Sequence, residues 1–118
     1  MQAANHGAKV AGGLTVGILP SAYLVGLSEY VDIPIVTGLG NARNNVNVLS
    51  SRVVIACGMG AGTASEVALA IKSNIPVVLL RCSQVGQAFF QSLRGDRILI
   101  AESPTHAIQL VIQQLDNS

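Results

Sequence analysis

The sequence predicts an α/β fold, a doubly wound parallel sheet of about five strands with flanking helices. Short runs rich in Val, Ile and Leu alternate along the chain with segments of helical pattern, as βαβ units require. Hydrophobic residues make up 50% of the chain, charged residues 11% and aromatics 3%. The apolar set is mostly Val, Ile, Leu and Ala, the composition of strands covered on both faces. Finally, Val53-Val-Ile-Ala-Cys57 runs through Gly58, Gly60 and Gly62 straight into a helical pattern, a strand-to-helix connection typical of such sheets.

Each element follows from local signals. Residues 2–11 pattern as an amphipathic helix ended by Gly12-Gly13. Leu14–Leu19 is a strand stopped by Pro20, and residues 21–32 form an irregular connection carrying Tyr23, Tyr30 and Asp32. A second strand, Ile33–Thr37, is closed by Gly38-Leu-Gly40. A helix is predicted from about Asn41 to Ser50, then the strand Val53–Cys57. Thr63–Ser73 has the strongest helical pattern, with Asn74 as a left-handed stop and Pro76 opening the strand Pro76–Leu80. Gln84–Leu93 reads as helix and Arg97–Ala101 as strand, and Ser103 with Pro104 starts a last helix to about Leu115. No repeat, linker or low-complexity tract divides the chain, so one domain over residues 1–118 is expected.

In doubly wound sheets ligands bind beyond the carboxyl ends of the strands. That rule selects Pro20, Thr37 to Arg43, Gly58 to Thr63, and Arg81 to Ser83. The glycine run is the sharpest feature. Backbone N–H groups converge there, no Cβ blocks close approach, and the helix dipole adds positive charge, so phosphate or carboxylate is the expected ligand. The spacing G-x-G-x-G is neither a Walker loop nor a dinucleotide fingerprint. A tight turn without a ligand is the alternative. Thr63 and Glu66 match a capping box, worth about 1 kcal/mol. Glu66 is thus a cap or a catalytic carboxylate.

Other function classes find little support. A net charge of +1 and few aromatics give no reason to expect nucleic acid. No apolar run reaches membrane-span length and no signal-peptide pattern is present, so a cytoplasmic protein without membrane contact is expected. Cys57 and Cys82 lack metal or CxxC spacing and read as buried free thiols. His6 and His106 stand apart from any ligand spacing, so no metal is expected.

Two motifs resemble one known group. Gly60-Ala-Gly-Thr-Ala-Ser-Glu66 is similar to the back half of the PGGxGTxxE motif of the LOG ("lonely guy") family, formerly described as lysine decarboxylase-like. Thr37-Gly-Leu-Gly-Asn-Ala-Arg43-Asn44 resembles the segment holding that family's arginine, in wording closest to its molybdenum-cofactor carrier branch. The resemblance covers nearly the whole chain and implies a Rossmann-like fold, Arg43 and Glu66 as the family's arginine and glutamate, and Gly60, Gly62 and Thr63 as its phosphate loop. It implies one of two activities. LOG enzymes are phosphoribohydrolases that release free base from nucleoside 5′-monophosphates, whereas carriers bind molybdenum cofactor, a phosphorylated pterin.

Three departures favour the carrier. Gly58-Met59 stands in place of Pro-Gly, Ser65 in place of a second acidic residue, and Asn44 in place of a lysine. The family also usually begins with further strands before a GGxxGxM segment, and Met1–Asn5 resembles the chain just after it. By resemblance the domain is N-terminally shortened, as a fragment, a start-site error or a natural short form. The absent strands are then expected between Leu14–Leu19 and Ile33–Thr37, leaving an open edge and an orphaned strand.

The leading expectation is therefore a binding protein for molybdenum cofactor. Its site would comprise Gly58, Gly60, Ala61, Gly62, Thr63, Gly38, Gly40, Arg43 and Asn44. The alternative is a phosphoribohydrolase with Glu66 and Arg43 as catalytic residues, where carboxylate and guanidinium would stabilise a ribosyl centre and hold phosphate. A third reading is NADP-type dinucleotide binding with Arg81 on the 2′-phosphate, against Arg81 as a plain surface charge. Homo-oligomerisation, to a dimer or tetramer, is implied by the resemblance.

Overall fold

Val77-Val-Leu-Leu80 contains no polar atom outside its backbone, so it is stable only with both faces covered. A computed structural model, which describes residues 1–117, places it so. The elements in chain order are α1 (Gln2–Val10), β1 (Val16–Leu19), β2 (Ile33–Val36), α2 (Arg43–Leu49), β3 (Val54–Cys57), α3 (Ala61–Lys72), β4 (Val77–Leu80), α4 (Gln84–Arg94), β5 (Ile98–Ala101) and α5 (Pro104–Asp116). Short 3-10 turns at Gly40–Ala42 and Gly95–Arg97 precede α2 and β5. The five strands and the helices between them match the expected alternation. The chain forms two compact units, residues 1–46 and 47–118.

In the second unit β3, β4 and β5 make a parallel sheet in that order, with Cys57 opposite Leu80 and Leu80 opposite Ala101. Side chains alternate between the faces. Val77 and Leu79 pack with Val67 and Ala70 of α3, Phe90 of α4 and Val48 of α2. Val78 and Leu80 pack with Ala101 and with Ala107 of α5. Right-handed crossovers that step the same way, from β3 to β4 and from β4 to β5, put α3 and α4 together on the first face, while α5 covers the second.

Helix boundaries follow side-chain chemistry. Ser83 and Ser103 cap α4 and α5, accepting from the N–H groups of Gly86 and His106. Asn74 takes the expected left-handed conformation after α3, at φ 60°, and the Ile75 N–H returns to the Ala70 carbonyl at 2.9 Å. The helix α3 starts two residues earlier than the sequence pattern suggests, with Gly60 rather than a hydroxyl residue at its N-cap.

In the first unit β1 and β2 pair directly and in parallel, Val16 opposite Ile33 and Leu19 opposite Val36. This corrects the expectation of an orphaned strand, since every described strand has a neighbour. Cys57 also departs from expectation. It ends β3, an edge strand of the sheet, and is exposed, while Cys82 is half-buried.

The first unit is held by one polar cluster. Asp32 accepts from both Lys9 Nζ (2.9 Å to each carboxylate oxygen) and the Thr15 N–H (2.9 Å), and Thr15 is 5% exposed. The Asp32 N–H donates in turn to Thr15 Oγ1 at 2.9 Å. The Lys9 ammonium, then the Thr15 N–H, hold the Asp32 carboxyl below its usual range. Stability from this group is present above the ordinary carboxylate pKa and lost as pH falls through the lowered folded value. Asp32→Asn is expected to erase this acid-dependent loss, because the variant lacks the stabilisation at neutral pH already. Unfolding followed against pH in the wild type and the variant reads the difference. An unchanged acid limb in the variant would assign it to other groups.

Candidate functional site

Leaving β3, the chain must turn sharply to enter α3, and Gly58 makes that turn at φ 80°. Such a conformation favours glycine over residues with a Cβ. The Gly58 N–H donates to the Leu80 carbonyl at 2.8 Å, fixing the loop to the carboxyl end of β4. Gly60 is extended and Gly62 lies in the first turn of α3. A Cβ at either would meet no neighbour within 4 Å. Alanine in place of Gly62 would favour the helix by roughly 0.5–1 kcal/mol. Packing therefore does not explain these two glycines, and both border open space.

The start of α3 lacks a side-chain cap. Its first internal bond from this end runs from the Ala64 N–H to the Gly60 carbonyl at 2.8 Å. Among the described residues, the N–H groups of Ala61, Gly62 and Thr63 have no protein acceptor. Three unpaired donors beside open space, at the positive end of a 12-residue helix, suit an anion.

The capping box between Thr63 and Glu66 does not form. With the helix beginning at Ala61, Thr63 is already inside its first turn. Glu66 Oε2 instead accepts from Asn47 Nδ2 at 3.0 Å, which ties α3 to the end of α2. Asn47 was not singled out by sequence reasoning, and its place in the run Asn44-Asn-Val-Asn47 carried no signal separating it from its neighbours. Ser65 Oγ donates to the Gly62 carbonyl at 2.6 Å.

The remaining predicted residues lie in the first unit. Gly38 and Gly40 both take positive φ, at 65° and 56°. Their N–H groups donate to the Ser21 and Pro20 carbonyls, each at 2.9 Å. Thr37 Oγ1 adds a 2.6 Å bond to the Leu19 carbonyl, so this turn closes the carboxyl ends of β1 and β2. Arg43 opens α2, where Nη1 donates to the Ile18 carbonyl at 2.7 Å and Nε to Asn44 Oδ1 at 3.1 Å. Among the described residues, two of its five N–H donors are so committed. The structure thus gathers Gly38, Gly40, Arg43 and Asn44 in one unit and Gly58, Gly60, Ala61, Gly62, Thr63 and Glu66 in the other. Among the described residues no three His, Cys, Asp or Glu side chains converge as metal ligands. No helix there is long and apolar enough to cross a membrane.

Comparison with solved structures adds an independent finding. The molybdenum cofactor binding protein from the phototrophic bacterium Rippkaea orientalis is 55% identical, over 98% of this chain and 71% of that one, with a TM-score of 0.93. The Moco Carrier Protein from Chlamydomonas reinhardtii is 50% identical, over 100% of this chain and 72% of that one, at a TM-score of 0.92. An uncharacterised protein of Archaeoglobus fulgidus is 38% identical over 112 residues, 95% of this chain and 68% of that protein. The SLOG cluster4 family matches residues 1–108. A match over that much of the sequence, on the fold described above, shows that the chain belongs to the SLOG cluster4 family.

Proposed function

We propose that this chain binds and carries molybdenum cofactor, as one Rossmann-like domain over residues 1–118. The cofactor's phosphate is held at Gly58, Gly60, Ala61, Gly62 and Thr63. The observation that carries the site is the uncapped start of α3, with three unpaired N–H groups behind two glycines that packing does not require. Identities of 50–55% to cofactor-binding and carrier proteins of the same fold support the choice of ligand. Gly38, Gly40, Arg43 and Asn44 are proposed as ligand contacts in their own right. Arg43→Ala tests them, with unfolding measured beside binding because Arg43 also ties α2 to Ile18.

The reading includes a cytoplasmic homo-oligomer. Val85, Phe89 and Leu93 on α4, and Ile108 and Ile112 on α5, recur at near-helical spacing and stay exposed, as faces awaiting a partner would. A monomeric mass at micromolar concentration would remove that part.

The deciding experiment titrates the purified protein with molybdenum cofactor and, in parallel, incubates it with nucleoside 5′-monophosphates. Bound pterin without released base is the expected result, and NADPH is expected not to compete. No bound pterin overturns the proposal. Free base that disappears in Glu66→Ala would make the chain a phosphoribohydrolase.

A further inference from the structure

Besides glycines, two described residues have positive φ, Asn74 and Arg81, both at 60°. Asn74 is explained as the left-handed stop of α3. Arg81 has no such explanation. Arginine is strained in this region, and glycine would occupy it freely. Strained residues of this kind cluster at binding sites.

Its position gives the strain a use. Arg81 follows Leu80, the residue whose carbonyl accepts the Gly58 N–H, so it leaves β4 beside the opening of the glycine loop. The turn it belongs to is firmly built. Ser83 caps α4, Gln87 Nε2 donates to the Cys82 carbonyl at 2.9 Å, and Gly86 packs so closely that a Cβ there would come within 2.7 Å of Cys82 Sγ. Arg81 itself is exposed and, among the described residues, has neither hydrogen-bond nor salt-bridge partner. By contrast, Arg43 is bonded to Ile18 and Asn44, and Arg94 is paired with Asp96. A fixed backbone thus presents an exposed guanidinium from the residue after Leu80, whose carbonyl holds the first glycine of the loop.

We infer that Arg81 is a ligand-binding residue of the loop site, its guanidinium holding the phosphate that the N–H groups of Ala61, Gly62 and Thr63 receive. This rests on the proposal that the loop is the phosphate site. A planar fork of donors matches phosphate geometry better than a point charge does, so Arg81 also makes the site prefer a phosphate ester over a neutral pterin.

Arg81→Gly separates this role from a structural one, since it removes the charge and the strain together. The variant is expected to unfold at the same or a higher temperature than the wild type. Its affinity for molybdenum cofactor is expected to fall tenfold or more, with a weaker salt dependence of binding. Arg81→Lys is expected to recover only part of that affinity. Wild-type affinity in Arg81→Gly overturns the inference and makes Arg81 a surface charge. Gly60→Asp, run alongside, distinguishes the two levels. Binding lost in Gly60→Asp but intact in Arg81→Gly overturns the role of Arg81 alone. Binding intact in Gly60→Asp, or absent from the wild type, overturns the loop reading and this inference together.

Discussion

Leu79→Ala is expected to destabilise the 47–118 unit by about 2–5 kcal/mol. Leu79 is 1% exposed at the centre of the middle strand, packed with the α3 residues Val67 and Ala70 and with Phe90 of α4. Sheet and helices surround it, so the cavity left by truncation has little freedom to collapse. Total stabilities of about 5–15 kcal/mol are usual for a domain, and the loss would be a large share of that. Urea unfolding should show a lower midpoint at unchanged slope, since the surface exposed on unfolding is the same. Gln91→Ala, at an exposed position of α4 outside the apolar face named above, serves as the control and should stay within about 0.5 kcal/mol. A Leu79→Ala midpoint indistinguishable from that control would contradict the doubly covered sheet.

Gly60→Asp carries the largest expected effect on binding. Gly60 is the N-cap of α3, in an extended conformation open to any residue, and a side chain there meets nothing within 4 Å. Aspartate is among the best N-caps, so the fold should be unchanged or gain a few tenths of a kcal/mol. The same carboxylate would take up the N–H donors that the ligand needs and oppose its negative charge. Like charges set against each other cost several kcal/mol, and a loss of binding of about a hundredfold or more follows. Calorimetric titration beside thermal unfolding reads both effects. A variant that binds cofactor as the wild type does would remove the loop from the site.

Much of this was legible in the residues. The stop at Asn74, the proline at 76 and the polar-free run after it define β4 to within one residue. Ser103 and Pro104 mark the start of α5 in the same way. What escaped was set by three-dimensional context. Thr63 and Glu66 have capping-box spacing, but a helix able to start on glycine and alanine moved both inside it. Cys57 reads as core because its run is apolar, yet a strand at a sheet edge leaves its last side chain exposed. The pairing of β1 with β2 depends on backbone register, to which local sequence contributes little. Arg81 looks like any surface cation until its backbone angle is known.

On the proposed function, the uncapped start of α3 would also let the protein register its ligand. Helix amides that lack an internal acceptor exchange freely with solvent, and those of Ala61, Gly62 and Thr63 are in that condition. A phosphate seated on them would slow their exchange and, at a hundredfold excess over its dissociation constant, raise global stability by about 2.7 kcal/mol. The loaded form would then outlast the empty one against heat and proteolysis. A carrier built this way would be the more labile when idle and the more persistent when full.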